Sequence, residues 1–237
     1  MGLIEMRDYI RTSLLRVYHN KGLNFLNKVC QSKFDEVKKY KGKNVSKEIM
    51  STLGEIAEVQ AEAIITEFVK NHKGKVFCVK GLNIRNDEDY LTELDLTIFM
   101  ESCVILLEVK YRSGSSKITK ECQLETKKFK TDIFKQNSLH LKLLHRKIGI
   151  YYNKPKQTDK PYKMWLYLES NDYKDIRTKE NKDRFKVVTK HTLYEELEKA
   201  LKESKKWDLK KTFLKVQALD NVSKENEIEH MKRVTNK

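Results

Sequence analysis

The run Val104-Ile105-Leu106-Leu107 is apolar at four successive positions and then gives way to Glu108-Val109-Lys110. In a strand, successive side chains point to opposite faces. A strand that is apolar on both faces belongs in the middle of a sheet, covered from both sides. Glu108 and Lys110 then share one face at the mouth of this buried strand, and Val109 takes the other. A second β-type run, Thr92 to Phe99, holds Asp95 thirteen residues upstream of Glu108.

The surrounding chain supplies helices to cover such a sheet. Ile10, Leu14 and Val17, then Leu23, Leu26 and Cys30, recur at helical spacing on either side of a break near Asn20-Lys21-Gly22. Residues 38–47 are basic and read as a linker. Ser46 suits the N-cap of a long helix reaching about His72 and closed by Gly74, with Ile49, Leu53, Ile56, Ile64 and Phe68 as its apolar stripe. Strands are expected over Lys75–Val79, Thr92–Phe99 and Cys103–Tyr111, the last two joined by a hairpin at Met100-Glu101-Ser102. A helix over 131–147, strands at Tyr162–Leu168 and Phe185–Val188, and a helix over Thr192–Glu203 follow. Loops are expected at 86–89 and between Pro155 and Pro161. This order predicts an α/β fold, a mixed central β-sheet flanked by helices. It divides into an N-terminal helical extension and basic linker (1–45), a central domain (46–206) and a polar C-terminal tail (207–237).

Charge points toward a polyanion. The chain carries 49 Lys/Arg against 34 Asp/Glu, a net +15. Residues 110–163 alone hold 15 Lys/Arg against 4 Asp/Glu, a footprint that attracts nucleic acid, although a lysine-rich solvated surface gives the same count. Cys30, Cys78, Cys103 and Cys122 show no paired spacing, which argues against a zinc site or disulfide framework and for a reducing cytoplasm. No apolar stretch approaches membrane-spanning length, and the first residues lack a signal-peptide core. The expected setting is cytoplasmic, away from membranes.

Asp95 and Glu108, brought side by side by a hairpin, are hard oxygen ligands suited to Mg²⁺, and the backbone carbonyl of Val109 adds another oxygen. Lys110 cannot bind a metal while protonated, but it can orient an attacking water or stabilise charge developing on a phosphate. Asp95 lies between Leu94 and Leu96, whose side chains are expected to point together to the opposite face. A lone Glu-X-Lys is common by chance; the doubly apolar run before it gives this one weight.

Taken in order, Gly54-Glu55 inside a helix, Glu93-Leu94-Asp95, Glu108-Val109-Lys110, and Gln136-Asn137 early in a later helix resemble the nuclease-related domain family, a branch of the PD-(D/E)XK nuclease superfamily, over roughly residues 50–200. The resemblance implies a restriction-endonuclease-like mixed core, dependence on Mg²⁺ with Mn²⁺ as substitute, and a DNA substrate. It implies Asp95 and Glu108 as metal ligands and Lys110 as the catalytic lysine. Glu55 would be a helix-borne acid completing the metal site through water, and Gln136 would orient the water or phosphate. The chain departs from the superfamily pattern in having Leu94 where a proline nominally precedes the first acid, and in a long basic stretch between Gly114 and Gln136.

Glu55 shares a helix face with Glu58 and Glu62. A solvated acidic stripe is the plain alternative, and Glu58 is the substitute ligand. Gly54 favours the functional reading, because glycine costs a helix roughly 1 kcal/mol relative to alanine. An exposed helix residue is nearly as good a reading of Gln136. His140 and His145 read as surface or packing residues. Tyr111 and Arg112 could touch a phosphate, but strand-end surface groups is the stronger reading. The sequence thus points to a metal-dependent DNA nuclease. The alternatives are a non-catalytic nucleic-acid-binding or regulatory module on the same fold, and an interaction domain using the N-terminal helices, which also offer a homodimer seam.

Overall fold

The computed structural model describes residues 3–38, 47–85, 91–127, 129–148, 162–203 and 208–216. Two helices, α1 (Leu3–Lys38) and α2 (Lys47–Asn71), precede the strands β1 (Val76–Arg85), β2 (Leu91–Met100) and β3 (Val104–Ile118). The short β4 (Gln123–Glu125) and β5 (Lys130–Asp132) lead into α3 (Ile133–Ile148). After β6 (Tyr162–Asp175) come α4 (Lys179–Lys182), β7 (Lys186–Val188) and α5 (Leu193–Leu201).

All seven strands join one mixed sheet, and β3 is its hub. It pairs antiparallel with β2 from Leu96↔Leu107 to Phe99↔Val104, and parallel with β6 from Val104↔Tyr162 to Ile118↔Asp175. The apolar run at 104–107 is therefore a central strand, as its composition requires. Its alternate residues feed two layers. Ile105, Leu107, Val109 and Tyr111 pack with Leu53, Ile56, Ile64 and Phe68 of α2, Leu26 and Phe34 of α1, and Leu193 and Leu197 of α5. Val104 and Leu106 pack with Leu143, Leu144 and Ile148 of α3 and with Leu209 and Val216. Each such side chain, fully buried, contributes about 1.5–3 kcal/mol, so removing either helical layer would expose one face of β3.

The expected break in the first helix is present: Gly22 has φ 76° and ψ 175°, interrupting α1 between two helical halves. Both halves lie on the core rather than apart from it, with Leu14, Tyr18, Leu26, Cys30 and Phe34 buried. With that apolar side used inside the chain, the expected homodimer through these helices finds no support. Residues 209–216, counted with the polar tail, are helical, and Phe77 meets Phe213 edge-on at 5.0 Å.

Several strands outrun their sequence signals. β1 continues past Val79 through Gly81 (φ 58°) to Arg85. β3 continues past Tyr111 through Gly114 (φ 108°), because β6 pairs with it along that length. The β4–β5 hairpin and α4 are too short to leave a periodic signal. The linker at 39–46, the loop at 86–89, the Pro155–Pro161 loop and the chain beyond 216 lie outside the described residues.

One expectation about faces is corrected. Leu96 packs into the layer under α2, whereas Leu94 packs with Leu82 and Ile84 into the layer under α3. The pairs Lys80↔Leu96 and Leu82↔Leu94 place Gly81 opposite Asp95. The hairpin changes faces at that step, and the positive φ of Gly81, which other residues rarely adopt, lets it do so.

Candidate active site

The antiparallel β2–β3 ladder stops at Leu96↔Leu107. The next facing positions are Asp95 and Glu108, and there a side chain replaces the backbone partner: the Val109 N–H donates to Asp95 Oδ2 at 2.7 Å. In an extended strand the N–H and C=O of one residue point to the same side. The Val109 carbonyl therefore opens on the same fork as Asp95.

Glu108 projects toward α3 and is 3% exposed. Its Oε1 accepts from Gln136 Nε2 at 2.7 Å and is ion-paired with the Lys110 ammonium. Its Oε2 lies 3.7 Å from His140 Nδ1, and His140 Nε2 is 3.0 Å from Thr92 Oγ1. Gln136 and His140, four residues apart on α3, present one helix face to one carboxylate. The sequence reading set His140 aside as a surface or packing residue; its i+4 spacing from Gln136 was the available signal.

Burial and the neighbouring Glu108 charge push the Asp95 carboxyl well above the ordinary carboxylate range, and Glu58 adds to the rise; Lys110 and the Val109 N–H offset it only in part. Burial acts to lower the Lys110 ammonium, but Glu108 and Asp95 outweigh it and hold the group above its usual value. The two acids thus favour the charged form of Lys110. Burial lowers the His140 imidazole, against the pull of Glu108, which favours its neutral form.

Asp95, Glu108, Lys110, Gln136 and the Val109 backbone come together as the sequence reading expects. Glu55 is placed differently. It is 3% exposed, its Oε2 accepts from Arg7 Nε and Nη2 at 3.0 and 2.9 Å, and its Oε1 accepts from Arg11 Nη1 at 2.6 Å. Both oxygens are held by guanidinium groups from α1, 44 and 48 residues away in sequence. Glu58, one turn further along α2, is the helix acid whose charge reaches Asp95. Burial, then Glu55, push its carboxyl up to about 7 despite Arg7 and Arg11.

Among the described residues no three His, Cys, Asp or Glu side chains are grouped so as to hold a metal ion by themselves. The donor set still suits a hard divalent cation. Two mutually repelling carboxylates meet at one fork, Lys110 only partly compensates them, and a backbone carbonyl opens beside them. Fold and site together define an α/β domain with an acid–acid–lysine centre where its two central strands diverge. Residues 53–168 match the family model of the nuclease-related domain. No curated protein and no solved structure is significantly similar to the chain.

Proposed function

We propose that the chain is a metal-dependent nuclease hydrolysing phosphodiester bonds of DNA, with Mg²⁺, or Mn²⁺ in its place, held by Asp95, Glu108 and the Val109 carbonyl. The observation that carries this reading is the meeting of Asp95 and Glu108 where β2 and β3 part, their repulsion only partly offset by the Lys110 ammonium and the Val109 N–H. A bound divalent cation would neutralise charge on the scissile phosphate and generate a nucleophilic water. Lys110 offers its ammonium to the phosphate oxygens, where added negative charge develops. Gln136 holds Glu108 in orientation by donating to Oε1, and His140 closes the other side of the same carboxylate. Glu58 stands as the helix acid able to reach the site through water. Glu55, clamped by Arg7 and Arg11, fixes α2 relative to α1.

The test is digestion of plasmid, linear duplex and single-stranded DNA across an Mg²⁺ and Mn²⁺ titration. Cleavage is expected in the wild type, with nicked or linearised plasmid marking an endonuclease. It should fall at least a hundredfold in Asp95→Ala and Glu108→Ala, both remaining folded. Unchanged cleavage in the folded double variant would remove this site from consideration. The clamped state of Glu55 favours a second reading, a nucleic-acid-binding module without catalysis. Steeply salt-dependent binding with no cleavage under either metal would select it.

A further inference from the structure

We infer that Arg112 is a phosphate-binding residue of this site, gripping a backbone phosphate of the substrate next to the one at Asp95 and Glu108. The identity of the polyanion rests on the nuclease reading; the anion site itself rests on the geometry of β3. Arg112 lies two residues beyond Lys110 on the same strand, and strand alternation puts both on the face of Glu108. The β3–β6 register shifts between Arg112 and Ser115, beside Gly114 at φ 108°, so the strand is irregular where the guanidinium sits.

The guanidinium is partly buried and poorly satisfied. Nη1 donates to the carbonyl of Tyr111 at 2.8 Å, while Nε is buried with no hydrogen-bond partner. Among the described residues no carboxylate pairs with it, and burial lowers its pKa with nothing acting against the shift. Elsewhere the chain satisfies such groups. Arg177 is fixed by Asp175 through Nε and Nη2, at 3.0 and 2.9 Å, and by the Phe185 carbonyl at 2.7 Å. Arg7 and Arg11 share Glu55. A guanidinium stays charged in proteins, and leaving its donors desolvated without an acceptor is unfavourable. Its planar fork matches the oxygens of a phosphate bidentately. A strand presenting Lys110 and then Arg112 offers one cation to each of two successive phosphates. Tyr111, between them, faces the other layer and stacks on Phe34 at 5.0 Å, which removes it as a phosphate contact.

Arg112→Met separates ligand binding from support of the fold, because the two roles predict opposite signs. The thermal midpoint should stay equal or rise, since an unpaired desolvated charge has been removed. Duplex DNA affinity, measured by anisotropy in EDTA, should fall about tenfold, and the slope of log K against log salt should shrink by about one. With metal present KM should rise more than kcat falls, and Arg112→Lys should recover part of the affinity. Unchanged affinity and salt slope in Arg112→Met would overturn the assignment and leave the nuclease reading standing. If the wild type neither binds nor cleaves DNA, inorganic pyrophosphate decides. Thermal protection of the wild type but not of Arg112→Met keeps the anion site and ends the nuclease reading; equal protection ends the assignment. Should Arg112→Met lose both stability and binding, Arg112→Lys resolves it: recovered stability without recovered binding overturns the role.

Discussion

Asp95 is held in an unfavourable state. Its carboxyl is partly buried, faces Glu108 and Glu58, and receives one backbone N–H from Val109. Groups tuned this way cluster at functional sites. Removing the charge should therefore stabilise the metal-free protein while abolishing its function. Asp95→Asn is expected to raise the thermal midpoint in EDTA at pH 7.5 by about 2–4 °C, corresponding to about 1 kcal/mol, and to eliminate cleavage. A lower midpoint would show that the carboxylate supports the fold instead. Glu58 adds a pH dependence. Its folded carboxyl, at about 7 against an ordinary 4.5, binds a proton more tightly than the unfolded chain does. Its contribution to folded-state stability in EDTA is then fully present below about 4.5 and is lost as pH rises through about 7. Glu58→Gln should flatten that decline in calorimetric scans across the range.

At the level of elements, α1 and α2 are joined by a charged clamp as well as by apolar packing. Glu55 takes three hydrogen bonds from Arg7 and Arg11, and Arg11 also pairs with Glu62. Stripping both arginines would leave a carboxylate that is 3% exposed without compensation. Arg7→Met with Arg11→Met is expected to cost about 3 kcal/mol in urea unfolding, and Glu55→Gln in that background should restore most of it. No restoration would mean that the arginine stems, not their charges, hold the helices together. Where β1 and β2 cross, Gly81 has φ 58° and an added Cβ would sit 3.4 Å from Glu93 Oε1. Gly81→Ala is expected to destabilise by about 1–2 kcal/mol and to reduce cleavage, because the step opposite Gly81 is Asp95 itself.

For the whole molecule, α1 belongs to the core that supports β3, the strand that carries the candidate site. Leu26, Cys30 and Phe34 share one buried cluster with Leu107, Val109 and Tyr111. A chain lacking residues 1–38 should therefore lose cooperative thermal unfolding and bind hydrophobic dye; a sharp transition in the truncated chain would show that α1 is dispensable. The long-range field also acts at this scale. The excess of basic residues between 110 and 163 follows directly after Glu108 in sequence. Lys110, Arg112 and Lys117 of this segment lie on β3 itself, the strand that carries the site.

Local chemistry was enough for part of this picture. In a strand, four consecutive apolar residues require cover on both faces, the Asn20-Lys21-Gly22 stretch interrupts the helical pattern of its neighbours, and alternation alone puts Glu108 and Lys110 on one face. The acid–acid–lysine set and its family likeness were legible for the same reason: they depend on short spacing within strands and on one hairpin. What required tertiary structure was every contact between residues distant in the chain. The clamp on Glu55 comes from a helix 44 to 48 residues away, and His140 reaches Glu108 only because α3 lies across β3. The change of face at Asp95 depends on a glycine in the neighbouring strand. Charges and cavities act through space rather than along the chain. Which acids faced each other, which were already paired, and which arginine was left without a carboxylate were decided only by packing.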